Sequence, residues 1–169
     1  MIMKLLDEIK KVSYLEGDFK LSSGKVSNYY FDKYKFILNP ALLNAVIDSL
    51  INLIPKETRR IAGGELGGAL IAVALSLKTG MPSIVVRKKS KMYGTENVIE
   101  GELNKDDNII LIEDVFTTGR QAIEFANSIR ERGGLVLKIL CVIDREEGAR
   151  ENIFDADFSC EMLFKKSDF

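Results

Sequence analysis

The sequence predicts an α/β fold, a parallel sheet flanked by helices, with a small helix-plus-hairpin layer ahead of it. Three observations carry that prediction. From Arg60 onward, short apolar runs alternate with helix-like segments, the pattern of parallel strands joined by right-handed crossover helices. Glycines at Gly63-Gly64, Gly80 and Gly133-Gly134 fall where one kind of element gives way to the next. Before position 39 the pattern differs, with one amphipathic helix and two strand-like runs. The expected division is therefore 1–38 for the helix and hairpin and 39–169 for the α/β core, as one compact unit.

Each element has its own signal. Ile2, Leu5, Leu6, Ile9 and Val12 follow the i, i+3, i+4, i+7 rule and predict a helix ending near Gly17. Phe19-Lys20-Leu21, the turn-like Ser22-Ser23-Gly24-Lys25 and the run Tyr29 to Leu38, rich in strand formers, predict a hairpin. Asn39-Pro40 reads as an N-cap followed by proline at the first helical position, opening a helix over Ala41 to Leu53 that stops before Pro55. Arg60-Ile61-Ala62 leads through Gly63-Gly64-Glu65-Leu66-Gly67-Gly68 into a small-residue helix that runs to Lys78 and stops at Gly80. Ser83 to Arg87 is a short strand, and Lys88 to Asn97, polar and without periodicity, is a loop. Asn108 to Ile112 is a buried strand, Gln121 to Arg132 a helix closed by Gly133-Gly134, and Leu135 to Ile143 another buried strand.

Composition excludes several kinds of protein. The 169 residues suit one domain, and 46% apolar against 29% charged residues are enough to bury a core, which excludes a disordered chain. A net charge of -1 offers no overall attraction to nucleic acid. The absence of histidine removes Ser-His-Asp and Cys-His catalysis and His-ligated zinc, so any chemistry rests on carboxylates, cations and backbone. Cys141 and Cys160, far apart and in apolar surroundings, fit reduced core thiols and a cytoplasmic address. The longest apolar stretch, around Ala69 to Leu77, is too short to span a bilayer, so no membrane partner is expected.

In a parallel sheet the ligand sits at the carboxyl ends of the strands. After Ile112 come Glu113-Asp114, then Val115, Phe116, Thr117, Thr118, Gly119, Arg120 and Gln121 entering a helix. One reading is a Thr-capped helix preceded by solvated acids. The other is an anion cradle of hydroxyls, a permissive glycine and helix N-terminal amides, with two carboxylates that accept hydrogen bonds from vicinal sugar hydroxyls or help place a metal. A sugar phosphate satisfies both halves. No Walker A loop is present, and Gly63 to Gly68 lacks the dinucleotide spacing. That cluster is either a tight strand-to-helix turn or a second place where amides approach phosphate. The basic run Arg87-Lys88-Lys89-Ser90-Lys91-Met92-Tyr93 is either a solvated loop or a cationic lid. Asp144-Arg145 ends the last core strand, as a surface ion pair or as a guanidinium fork for a carboxylate.

Together these segments resemble the type I phosphoribosyltransferases, and more narrowly the orotate phosphoribosyltransferase family. ILIEDVFTTGRQA is similar to the motif that binds phosphoribosyl pyrophosphate (PRPP), FKLSSGKVSNYYFD to the orotate-side hairpin and AGGELGGALIAVALS to the pyrophosphate-loop region. VRKKSKMYG is similar to the basic catalytic loop and CVIDREEGARENI to the strand whose arginine meets orotate. The resemblance implies that PRPP and orotate give orotidine 5'-monophosphate and pyrophosphate, with Mg2+ bound through PRPP and no direct protein ligand assigned. It implies Lys91 and Asp114 as catalytic residues. PRPP would be held by Arg87, Lys88, Lys91, Tyr93, Glu113 and Asp114, and by the segment Val115, Phe116, Thr117, Thr118, Gly119, Arg120 and Gln121. Thr117 and Arg145 would meet orotate, under a hood formed by residues 1–38. A homodimer sharing its catalytic loop, with Lys88 reaching the neighbouring site, is implied as well. The sequence departs from the family pattern at Tyr93, usually histidine, at Ser22, often lysine, and at Gln121, often serine. A transferase for a purine or uracil, and a non-catalytic PRPP sensor, are the rival readings.

Overall fold

A computed structural model of the chain describes residues 2–20, 24, 26–88 and 98–169. Its centre is a six-stranded sheet of β3 (Arg60–Gly64), β4 (Ser83–Val86), β5 (Ile99–Glu100), β6 (Asn108–Phe116), β7 (Leu135–Asp144) and β8 (Cys160–Lys165), in the order β5-β4-β3-β6-β7-β8. All neighbours are parallel except the edge pair β4–β5. Helices α1 (Ile2–Ser13), α2 (Lys33–Ile37), α3 (Pro40–Ile51) and α4 (Gly67–Thr79) share one apolar cluster with Ile110, Ile112, Leu140 and Val142. Helices α5 (Arg120–Glu131) and α6 (Ala149–Asp155) share a second cluster with Ile109, Leu111, Ile139 and Cys141. Successive residues of β6 and β7 thus serve opposite layers, which is why both strands read as unbroken apolar runs.

Several predicted elements stand. Asn39 accepts hydrogen bonds from the amides of Ala41 and Leu42 and caps α3, with Pro40 in its first turn. Gly80, at φ 75°, closes α4.

Others are corrected. Helix α1 ends at Ser13, short of Gly17, because Tyr14–Lys20 forms β1 and pairs antiparallel with β2 (Val26–Phe31); Gly17 lies instead at an irregularity of that ladder. The second strand does not run on to Leu38. It stops at Phe31, and Lys33–Ile37 coils into α2, which buries Phe36 and Ile37 completely beside α1 and α3. Strand β6 continues four residues past Ile112, so Glu113 and Asp114 lie within the strand. The helix that follows begins at Arg120, and its N-cap is Gly119 at φ 75°, with no threonine side chain capping it. The edge strand β5 and the pair α6 and β8 had no counterpart in the sequence reading. Both cysteines are free thiols, Cys141 fully buried and Cys160 half-buried. No helix among the described residues is long and apolar enough to cross a membrane.

The two ends of the sheet differ in character. At the start of β3, Arg60 is buried and donates from Nε to Asp107 (2.8 Å), fastening β3 to the entry of β6. Burial opposes the charge of Asp107, yet the hydrogen bonds from Arg60 and Asn104 prevail and hold its carboxyl below the usual range. The carboxyl end of the sheet is open.

Candidate active site

A cleft of about 740 Å³ opens at the carboxyl ends of the core strands. Its walls are Glu65 and Leu66 after β3, Arg87 and Lys88 after β4, Glu113 to Thr117 from β6, Gly119, Gln121 and Ala122 from the entry to α5, and Arg145 after β7. Tyr30, Phe31, Lys33 and Tyr34 close it from the hairpin and α2.

The two acids are neighbours in sequence but not in environment. Alternation along β6 sends Glu113 toward α5, where its Oε1 lies against Gly64 and Phe125. It sends Asp114 the other way, against Gly67 and Lys33. A Cβ at Gly64 would meet Glu113 Oε1, and one at Gly67 would meet Asp114 Oδ2, so each glycine clears the space that one carboxylate occupies. Glu113 is 6% exposed, and its Oε1 has no hydrogen-bond partner among the described residues. Burial first, then the Asp114 charge, push its carboxyl up to about 8, against opposing pulls from Lys33 and Lys88. At neutral pH Glu113 is therefore a protonated acid, able to donate as well as accept. Asp114, 4% exposed, has both oxygens held: the Val115 amide donates to Oδ1 (2.6 Å), and Lys33 Nζ lies 2.7 Å from Oδ2.

Beyond the acids the chain turns through Thr117 and Gly119 into the N-terminus of α5, which presents backbone donors to the cleft. Gln121 donates from Nε2 to the Glu65 carbonyl (3.4 Å), and the Lys88 amide donates to Glu65 Oε2 (3.2 Å), so the turn after β3 is tied to both sides. The Glu65–Leu66 peptide within that turn is cis. Arg87 lies 3.8 Å from Glu100 of β5.

On the opposite wall Arg145 is 12% exposed, too buried for a solvated surface pair. Its Nε donates to the Tyr29 hydroxyl (3.1 Å) and lies 3.0 Å from Glu147, while its guanidinium sits 5.0 Å from the Tyr29 ring centroid. Tyr29 is stacked on Tyr14, which stacks in turn on Phe169.

Ten of the fourteen residues singled out in the sequence thus line one cleft: Arg87, Lys88, Glu113, Asp114, Val115, Phe116, Thr117, Gly119, Gln121 and Arg145. Thr118 and Arg120 do not; the Thr118 carbonyl accepts from Asn152 and Arg120 reaches Glu124. Lys91 and Tyr93 lie outside the described residues. Lys33 and Tyr34 are cleft residues that the sequence reading missed, and Glu65 belongs to the glycine cluster it named without being singled out itself. The only signal for Lys33 was the charged Asp32-Lys33-Tyr34-Lys35 that interrupts an apolar run.

A mostly parallel sheet whose middle strand delivers two acids to a cleft and then leads into a helix N-terminus is the fold of the type I phosphoribosyltransferases, a class of glycosyltransferase enzymes. It is 43% identical over 169 residues to the orotate phosphoribosyltransferase of Methanocella arvoryzae, covering 99% of this chain and 97% of that one. The crystal structure of the orotate phosphoribosyltransferase from Aeropyrum pernix matches with a TM-score of 0.86 at 27% identity, over 99% of this chain and 94% of that one. The Mycobacterium tuberculosis orotate phosphoribosyltransferase, solved in complex with PRPP, matches with a TM-score of 0.79 at 26% identity, over 99% and 97%. The chain belongs to the orotate phosphoribosyltransferase family. No family model matches it.

Proposed function

We propose that the chain joins N1 of orotate to C1 of PRPP as the C1–O bond to pyrophosphate breaks, the N1 proton being released with the pyrophosphate, giving orotidine 5'-monophosphate for pyrimidine biosynthesis. The observation that carries this reading is the cleft itself: an acidic pair and a helix N-terminus on one wall, a sheltered arginine on the other. The acids receive the ribose hydroxyls, Asp114 as acceptor and Glu113 as a neutral acid. Residues 117–121 receive the 5-phosphate at the start of α5. Arg87 and Lys88, together with Lys91 and Tyr93 from the basic loop, meet the pyrophosphate. Thr117 and Arg145 meet orotate, the guanidinium facing its carboxylate.

As the pyrophosphate departs, positive charge develops on the ribose ring. Cations on the leaving group and fixed partners for the hydroxyls stabilise that state without a covalent intermediate. No imidazole is required.

Magnesium fits this cleft as an ion carried in by PRPP. Both oxygens of Asp114 are already engaged by the Val115 amide and Lys33, and Glu113 is neutral, so the ion would be held through the water and phosphate oxygens that come with PRPP. When bound, it supplies neutralising charge to the pyrophosphate.

The same reading has two chains pairing about a two-fold axis, each lending Lys91 to its neighbour's site while Lys88 lines the cleft of its own chain, in the cytoplasm, where the free thiols of Cys141 and Cys160 stay reduced. Exchange of subunits between a Lys91→Ala variant and an Asp114→Asn variant should restore activity to roughly a quarter of the sites, because half the dimers are mixed and one site of each is intact. Recovery absent after confirmed exchange places the loop in its own subunit. The reaction is tested by incubating the protein with PRPP, Mg2+ and a panel of bases. Consumption of orotate with release of pyrophosphate is the expected result; consumption of uracil or a purine instead, or of no base, overturns it.

A further inference from the structure

Asp114 is held from three sides. The Val115 amide occupies Oδ1 at 2.6 Å, Lys33 Nζ occupies Oδ2 at 2.7 Å, and the missing Cβ of Gly67 leaves room for the carboxylate between α4 and the cleft. The amide bond and the gap follow from the motifs already described. The Lys33 contact does not. It comes from α2, the short helix that interrupts the second strand, and it brings a cation from the hairpin side into the acidic wall. Lys33 is about one third exposed and Asp114 nearly buried, so the pair sits at the floor of the cleft and not on the surface. Burial disfavours the Lys33 charge, yet the Asp114 carboxylate outweighs it, and the ammonium binds its proton more tightly than an ordinary lysine.

A carboxylate offers about four lone-pair sites. With one on each oxygen already engaged, Asp114 has one left on each. That number suits the two neighbouring hydroxyls of a ribose, provided the carboxylate does not rotate. We propose that Lys33 is a positioning residue for PRPP, acting through Asp114: it fixes the carboxylate plane so that the two remaining acceptor sites face the ribose hydroxyls. The inference rests on the assignment of Asp114 to those hydroxyls. It goes beyond that assignment in giving the lysine a role in PRPP affinity separate from orotate affinity.

The experiment measures PRPP binding by calorimetry in wild type, Lys33→Met and Lys33→Arg, with thermal melting to confirm folding and steady-state KM values for both substrates. Lys33→Met should weaken PRPP binding by about tenfold or more, leaving the orotate KM within about twofold of wild type. Lys33→Arg, which keeps a cationic donor, should recover most of the PRPP affinity. If Lys33→Met fails to fold, Lys33→Gln, which keeps an N–H donor without the charge, takes its place with the same expectation of weakened PRPP binding. Unchanged PRPP affinity, or PRPP and orotate affinities falling in parallel, overturns the proposal. The calorimetric arm does not depend on turnover. A wild-type protein that binds PRPP but leaves orotate untouched therefore defeats the proposed reaction while the lysine's role is still decided.

Discussion

The two walls of the cleft are built differently. The acidic wall consists of strand ends, backbone amides and glycines: Glu113 and Asp114 arrive on β6, and Gly64 and Gly67 exist where any Cβ would collide with them. The arginine wall consists of side chains on an added layer: Arg145 leans on Tyr29, Tyr29 on Tyr14, and Tyr14 on Phe169. A wall made of main chain has no slack, so its substitutions act through collision. A wall made of side chains can adjust, so its substitutions act through lost contacts.

Gly67→Ala is the hardest test of that contrast. Its methyl enters the space of the Asp114 carboxylate, and kcat/KM for PRPP should fall on the order of a few hundredfold, read by steady-state kinetics. A mild effect would show that the wall yields after all. Asp114→Asn replaces an acceptor oxygen by an amide that repels hydroxyl donors while leaving the volume intact; a loss of about a hundredfold in turnover is expected. Near-normal turnover would return the acid to a solvated role.

On the other wall, Arg145→Ala should raise the orotate KM by about ten- to a hundredfold, from a charge-assisted fork worth ~1.5–3 kcal/mol, and leave PRPP affinity close to wild type. Equal losses for both ligands would mean that the walls are not separable.

The smallest effect concerns pH. The folded protein keeps Glu113 protonated up to about 8, while the unfolded chain releases that proton near the ordinary value of 4.5. The native state therefore holds more protons in this window, and stability falls as pH rises from 4.5 to 8. Glu113→Gln keeps the shape without the titration. It should melt several degrees higher than wild type at pH 8 and show a flatter pH profile, with a residual slope from Asp144, which burial also raises. Parallel melting profiles would contradict a protonated Glu113.

Much of the acidic wall's position in the cleft was legible in the sequence because its residues are contiguous. Glu113 through Gln121 is a single stretch, and Asn39-Pro40 or Gly80 mark helix ends through local backbone rules that tertiary context rarely overrides. What escaped was set by distant partners. Tyr29 to Leu38 carries strand formers throughout, yet Phe36 and Ile37 find a buried place beside α1 and α3 only by coiling, and that coil is what delivers Lys33. The two residues of β5 are too few for any period and exist because β4 offers them an edge. That Glu113 and Asp114 face opposite layers follows from β6 running on to Phe116, which no local signal past Ile112 announced.

The strand order also bears on how the molecule comes together. Leu135 joins Asn108 after a single helix, so β6 and β7 close a short loop of chain. Ile61 meets Ile110 only after α4, β4 and β5 have intervened, a longer closure with a larger entropy cost. The β6–β7 ribbon is thus poised to form before β3 docks on it. The cleft needs both, since Gly64 and Gly67 follow from β3 while the acids belong to β6. In refolding from denaturant, competence to bind PRPP should trail the recovery of secondary structure, and saturating PRPP should slow unfolding by holding the last-made seam shut. Binding competence that returns together with the first strand signal would show that the seam forms early.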